Sequence, residues 1–318
     1  MRLLILICAA VLPITCWGQT WPAKAVRVVV TFSPGGSSDI VARLIAAPLQ
    51  AELGQSVIVD NKPGAGGTIG ALEAARAAPD GYTLLLSNSA PISISPAMQD
   101  QPRYDPVAGF THVSYIGSVA NVFVVHPSVP AKSLRELVGW IKAQPDPVPY
   151  GSGGIGSIGH IVGETLKKDQ GLKMEHVGYK GSSPMHNDLL SGTIKLAIDT
   201  LPQNVPFMKD GKLRAVAVTS PARAPMAPDV PSVLELGQKK LVAENFLGVS
   251  GPAGLPRAVV ERLHAAMRKS LANPTVAQRL ADLGVQGRDM TPGEFTAFVA
   301  NQVKEWHQPV KDSGAKLN

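Results

Sequence analysis

Apolar and polar positions change period repeatedly along the chain, and each change predicts an element. Residues 26–32 are a near-continuous apolar run, the pattern of a buried strand. Ile40, Val41, Leu44, Ile45, Leu49 and Leu53 then recur at helical spacing, and Gly54 ends that helix. Pro48 falls inside it and is expected to kink or shorten it. A short strand at 57–59, a glycine turn at 61–67, a helix over 69–78, the turn Pro79-Asp80-Gly81 and a strand over 82–86 follow. This alternation of strand and helix points to an α/β fold with a mostly parallel sheet.

The same alternation resumes further on. Residues 122–125 read as a strand, and Ser133 with Glu136 forms a capping box ahead of Leu137, Val138 and Ile141, a structural duty for both. Residues 145–149 read as a proline-rich connector, followed by a glycine loop and a helix carrying His160 and Glu164. Strands are expected at 176–179, 194–199 and 213–219, which completes a second α/β unit.

Beyond the proline-rich stretch 221–231 the period turns helical. Val259, Val260, Leu263, Met267 and Leu271 share one face, as do Phe295, Phe298, Val299, Val303, Trp306 and Val310, with Thr291 and Glu294 capping the last helix. Lacking a strand-rich core of their own, these helices are expected to return to the first unit. The predicted organisation is a discontinuous first lobe of 19–121 plus 222–318 and a second lobe of 122–221, with the chain crossing twice between them.

The length of 318 residues exceeds a usual single core, which agrees with two lobes. Arg2 precedes the apolar run 3–14, and small residues stand before a cut after Gly18, so residues 1–18 are expected to be a secretory leader and the chain periplasmic. The run is too short to span a bilayer. Cys8 and Cys16 both lie in it, so the exported chain is expected to carry neither disulfide nor thiolate. Losing Arg2 takes the net charge from +6 to +5, spread without basic blocks, which argues against nucleic acid and suits an acidic solute.

Two segments carry the candidate chemistry. Ser33-Pro34-Gly35-Gly36-Ser37-Ser38-Asp39 and Gly151-Ser152-Gly153-Gly154-Ile155-Gly156-Ser157 each join a predicted strand to a predicted helix. Glycine lets backbone approach a ligand closely, and a helix start offers unpaired N–H groups that favour an anion. Two such loops predict a cleft that grips a small anion from both sides.

Other readings of these residues carry less. Gly151, Gly153 and Gly156 match G-x-G-x-x-G with Glu175 downstream, but Glu175 falls at the start or middle of its strand, and an exported protein has little access to NAD. No G-x-x-x-x-G-K-[ST] or G-x-S-x-G occurs, and the histidines show no ligand spacing, so neither cofactor nor metal is expected. A triad's partners need only be close in space, which keeps an exported serine hydrolase as the competing class. Asp39 reads as a helix cap before a ligand contact. His160, one turn into its helix, suits a structural role as well as a ligand contact. Lys180 after Tyr179 can steer a carboxylate or stand solvated. Asp199 closes a strand, where ligand groups and loop-capping acids both occur.

The ordered set Trp21-Pro22, Arg27, Ser33 to Asp39, Ala42-Arg43, Leu53-Gly54-Gln55, Asn61 to Gly67 and Pro79 to Leu85 resembles the Bug-type, TctC-like receptors of tripartite tricarboxylate transport. The similarity continues through Tyr104-Asp105-Pro106, Tyr150-Gly151-Ser152, His160, Gly163-Glu164, Tyr179-Lys180-Gly181, Asp188 to Leu190, Gly192, Gly211 to Ala215, Asp229 to Ser232, Gly251 to Gly254 and Trp306. It implies a two-lobed, type II-like periplasmic binding protein, each lobe a mostly parallel sheet flanked by helices. It also implies a monomer that binds rather than catalyses, closes on a small carboxylate, and hands it to membrane permease subunits or reports it to a sensor kinase. The ligand is a di- or tricarboxylate, an acidic amino acid or an aromatic acid.

On that resemblance the two loops hold the carboxylate, often through ordered water. The candidate contacts are Phe32, Ser33, Pro34, Gly35, Gly36, Ser37 and Ser38 in the first lobe, with Asn88 and Ser89 after its later strand. In the second they are Gly151, Ser152, Gly153, Gly154, Gly156, Ser157, His160, Tyr179, Lys180 and Asp199. Departures from the family pattern at Ser33, Ile158-Gly159 and Phe246-Leu247-Gly248 keep ligand identity open.

Overall fold

The computed structural model describes residues 21–317. The leader expected over 1–18, with Cys8 and Cys16, lies outside the described residues. In the first sheet β1 (Val26–Val30) lies parallel to β2 (Val57–Asn61) on one side and β3 (Thr83–Asn88) on the other. An internal strand covered on both faces needs apolar residues throughout, which is why Val26, Val28, Val29 and Val30 are all buried and show no alternation. Arg27 interrupts the run because its guanidinium reaches Asp60 at 3.0 Å and Glu73 at 2.5 Å.

The helix α1 (Ser37–Leu53) continues through Pro48 without a break and stops at Gly54, whose φ of 71° only glycine adopts at little cost. The expected shortening at Pro48 therefore does not occur. α2 (Thr68–Ala75) follows β2.

β4 (Phe110–Val125) is the spine of the molecule. Its first part pairs antiparallel with β9 (Glu244–Pro252), which also pairs with β3. Its last part pairs antiparallel with β7 (Leu196–Thr200) and β8 (Arg214–Val218). β5 (Val148–Ser152) then lies parallel to β7 and to β6 (Met174–Gly178), completing the second sheet. Its helices are α3 (Leu134–Lys142), α4 (Ile158–Gln170), α5 (Ser182–Leu190) and α6 (Leu201–Lys209). Ser133 caps α3, accepting from the Glu136 amide at 3.2 Å, while the Glu136 carboxylate accepts from the Lys132 amide at 2.8 Å.

Sequence periodicity finds only the end of β4, at 122–125. Register shifts between His112 and Ser114 and between Tyr115 and Gly117 break the two-residue alternation upstream, hiding the strand. β5 occupies the segment read as a connector. Pro149 is tolerated there because β7 pairs only with Tyr150 and Gly151. β9 lies in the part whose period reads as helical, and α5 and α6 are additional helices.

The C-terminal helices are α7 (Arg257–Ala272), α8 (Pro274–Asp282) and α9 (Pro292–Ser313). Leu263, Ala266 and Met267 of α7 pack into the first-sheet core with Val41 and Ile45. Phe295 and Val299, early in α9, pack with Leu85 and Phe246, whereas Trp306 and Val310 near its end join Ile161 and Leu166 over the second sheet. α9 thus bridges the two sheets along its length. Its start is fixed by a complete capping box between Thr291 and Glu294.

Candidate functional site

Between the sheets lies a pocket built at the carboxyl ends of the parallel strands, where open α/β sheets place their ligands. Gly36, Ser37 and Ser38 bring the start of α1 to its wall, and Ser157, Ile158 and Gly159 bring the start of α4. Gly181 and Ser182 bring α5, and Thr200 brings α6. No N-cap side chain bonds the first turn of α1, α5 or α6 among the described residues, which leaves first-turn amides there without a capping partner. Each helix adds the positive end of its dipole. None of the lining residues is Lys, Arg or His, so the positive potential at the wall is that of main chain and dipoles.

The packing that aims α4 at the pocket depends on missing side chains. A Cβ on Gly159 would stand 2.0 Å from the Ile198 carbonyl, and one on Gly163 would stand 2.2 Å from the Tyr150 ring. Beneath the second loop, Ser157 Oγ donates to Ser152 Oγ at 3.0 Å, and Ser152 Oγ lies 2.7 Å from His176 Nε2. His176 stacks on His160 with ring centroids 3.8 Å apart. His160 Nδ1 accepts from the Gly156 amide at 3.2 Å. Burial lowers the pKa of His160 to about 4, and burial with the neighbouring His160 lowers His176 to about 3, so both rings are neutral at physiological pH.

Asp199 lines the pocket and is the single Asp, Glu, Lys, Arg or His side chain that does so among the described residues. Its carboxylate accepts from Ser182 Oγ at 2.8 Å and from Asn204 Nδ2 at 3.3 Å, with His186 Nε2 at 3.6 Å. Burial pushes its pKa up, against His186, Ser182, the Thr200 amide and Asn204. In this way Asp199 ties the starts of α5 and α6 together and points both at the cleft. Asp39 does comparable work in the first loop, accepting from the Gly35 amide at 2.9 Å and Arg43 Nε at 3.0 Å. Burial opposes its ionisation, yet Arg43, the Gly35 amide and Asn61 outweigh this and hold its pKa below the usual value. Asp39 therefore braces the loop ahead of α1 and stands outside the pocket wall.

Of the candidate contacts, the structure brings Phe32, Gly36, Ser37, Ser38, Asn88, Gly153, Ser157 and Asp199 to one pocket. Others support it from behind. Gly151 and Ser152 are buried in β5, and Gly154 presses against the Tyr179 carbonyl. The Ser89 amide donates to Asn245 Oδ1 at 3.3 Å, which fixes the end of β3 to β9. The Tyr179 hydroxyl turns away to donate to Asp188 at 2.6 Å, and the Lys180 side chain is exposed. His160 stands behind the loop.

A third set closes the mouth. Ser33 Oγ donates to the Lys180 carbonyl, and Gln203 Nε2 donates to the Gly35 carbonyl at 2.7 Å, so the first loop is latched to the second lobe. Pro34 is exposed at the rim. Gly156 lies against Ser95 and Gly66 of the opposite lobe.

Sequence reading missed Ala90, Asn121, Ile158, Gly159, Gly181, Ser182, Ile198, Thr200 and Asn245 in the wall. Gly159, Gly181 and Thr200 sit beside residues already singled out, so extending each loop to its helix start would have found them. Asn121 and Asn245 carry no local signal, because they reach the pocket from β4 and β9.

Comparison with known proteins agrees with this architecture. Residues 41–315 match the model of the TctC family, the tripartite tricarboxylate transporter family receptor. BugT of Bordetella pertussis is 35% identical over 300 residues, covering 94% of this chain and 92% of BugT. The periplasmic binding protein BugD superposes with a TM-score of 0.88 at 33% identity, over 93% of this chain and 99% of BugD. MatC of Rhodopseudomonas palustris, solved with bound malate, gives 0.87 at 30% identity, over 91% of this chain and all of MatC. With its two-lobed binding-protein fold and a family match spanning nearly its whole described length, the chain belongs to the TctC family of solute-binding receptors.

Proposed function

We propose that this protein captures a small carboxylate between its lobes in the periplasm and delivers it to the membrane permease of a tripartite tricarboxylate transporter. The observation that carries the reading is the convergence of the α1, α4, α5 and α6 starts on one pocket without a basic side chain. Such a site binds an anion by several charge-assisted hydrogen bonds, each worth about 1.5–3 kcal/mol, and a few suffice for micromolar affinity near −8 kcal/mol after ordering costs. The malate bound by MatC supports a carboxylate as the ligand.

The amides come from both sheets, so the full set forms only when the lobes are together, and ligand and closure stabilise each other. Native mass spectrometry of protein taken from the periplasm is expected to show a retained organic acid. Uptake of that acid is expected to fall in a strain lacking this protein. A non-acidic retained ligand counts against the pocket reading. Unchanged uptake with lost acid-dependent transcription would assign the protein to a sensor kinase instead.

A further inference from the structure

Resting on the carboxylate reading above, we infer that Asn121 and Asn245 form a second recognition element, selecting a monocarboxylate whose other end is a neutral hydroxyl or carboxamide. Asn121 is the residue at which β4 passes from the first sheet to the second: Ala120 pairs with Glu244 of β9, and Asn121 pairs with Thr200 of β7. Val119 pairs with Asn245, so Asn121 and Asn245 are diagonal neighbours on one face of the ladder, about 7–8 Å apart in Cα. Both line the pocket.

The hydrogen bonds of these side chains point to a ligand. Asn121 is 3% exposed, and its Oδ1 is buried without a partner among the described residues. A buried acceptor left in this state is costly, and a donor from a bound molecule removes the cost. Asn245 spends its Oδ1 on the Ser89 amide at 3.3 Å, while its Nδ2 makes no protein hydrogen bond among the described residues. Asn121 Nδ2 likewise makes no protein hydrogen bond among the described residues, so the pair presents one acceptor, Asn121 Oδ1, and two amide donors.

A hydroxyl or carboxamide supplies the proton that Asn121 Oδ1 lacks while its oxygen accepts from the amide donors. A second carboxylate has no proton for Asn121 Oδ1, and this pocket wall supplies no cation to balance it while already holding Asp199. The backbone beneath is rigid: the Asn121 amide donates to Thr219 Oγ1 at 2.9 Å, and Thr219 Oγ1 donates to the Ala243 carbonyl at 2.6 Å. Thr219 thereby clamps the two crossing segments, so the amide pair is held in place at the hinge.

Calorimetry on the purified protein with succinamate, 4-hydroxybutyrate, succinate and butyrate tests the inference. Succinamate or 4-hydroxybutyrate is expected to bind about tenfold or more tighter than succinate and butyrate, the worth of one well-made hydrogen bond. Asn121→Leu is expected to erase that advantage while leaving butyrate affinity within about threefold. Asn245→Ser, which keeps a small polar side chain and is milder for folding, is expected to reduce it. Preference for succinate, or an undiminished preference for succinamate in both variants, overturns the assignment of the two asparagines and leaves the carboxylate reading standing. Failure of all four acids to bind the unmodified protein overturns the carboxylate reading and this inference together.

Discussion

Replacing Gly36 by aspartate should separate the anion site from the stability of the fold. Gly36 is the residue before α1, buried in the pocket wall, with φ −74° and ψ 162°, a backbone that any residue adopts. A Cβ there would meet only the Ser33 carbonyl, at 3.3 Å, so Gly36→Ala should fold with little disturbance. Aspartate at the same place accepts from the uncapped α1 amides, and the gain over glycine at an N-cap is a few tenths of a kcal/mol. The same carboxylate occupies the position of the ligand's anion. Two like charges about 4 Å apart at an effective dielectric of 20 repel by about 4 kcal/mol, roughly a thousandfold in affinity. Thermal unfolding with and without the organic acid retained by the purified protein, backed by calorimetry, reads both effects. Gly36→Asp is expected to unfold at or slightly above the parent temperature and to lose the ligand-dependent rise, while Gly36→Ala keeps it. A Gly36→Asp protein that keeps its full affinity would show that the α1 start is not where the carboxylate sits.

Three further outcomes follow from the packing. Gly159→Ala places a Cβ 2.0 Å from the Ile198 carbonyl, where neither backbone can yield cheaply. It is expected to cost about 3 kcal/mol or more in urea denaturation, through overpacking of α4 on β7. Gln203→Ala removes the 2.7 Å bond to the Gly35 carbonyl, which spans the lobes. Ligand affinity is expected to fall about fivefold by calorimetry, one net hydrogen bond, with the unfolding free energy of the ligand-free protein nearly unchanged. Burial lowers His112 and His160 to about 4 and His176 to about 3, from an ordinary 6.5. The unfolded chain then takes up protons first, so stability is full above about pH 6.5 and falls as pH drops from there toward 4, by about 1.4 kcal/mol per pH unit for each histidine. Chemical denaturation across that range should show the fall, and His176→Asn should remove about one histidine's share of the slope.

Much of the fold was legible because internal parallel strands and amphipathic helices write their periods into the chain. β1 is apolar because both faces are covered, and α7 shows its Leu263 and Met267 face because one side meets solvent. Besides β5, hidden by Pro145, Pro147 and Pro149, the strands that failed this reading are β4 and β9, and the cause is physical. Both sit in the middle of the assembly, and β4 changes partners along its length and carries register shifts against both β9 and β8. A strand that serves two sheets obeys neither sheet's alternation from end to end.

The site divides along the same line. Its anion-binding part is local in sequence, since a strand, a glycine turn and a helix start must be consecutive to aim amides at a ligand. Gly36, Ser37, Ser38, Gly153 and Ser157 could therefore be picked out without coordinates. Several residues of the same loops serve other ends: Ser33 and Gly35 latch the lobes, Ser152 and His160 brace the second loop, and Asp39 braces the first. A loop motif marks where chemistry gathers, but which members face inward depends on the direction of each Cα–Cβ bond, and only the fold decides that. The recognition of the far end of the ligand is non-local by construction. Asn121 and Asn245 are brought together by strand pairing across more than a hundred residues, at the point where the lobes meet. Residues placed there feel both the ligand and the hinge, so a contact that discriminates between ligands at Asn121 also biases how readily the lobes stay closed.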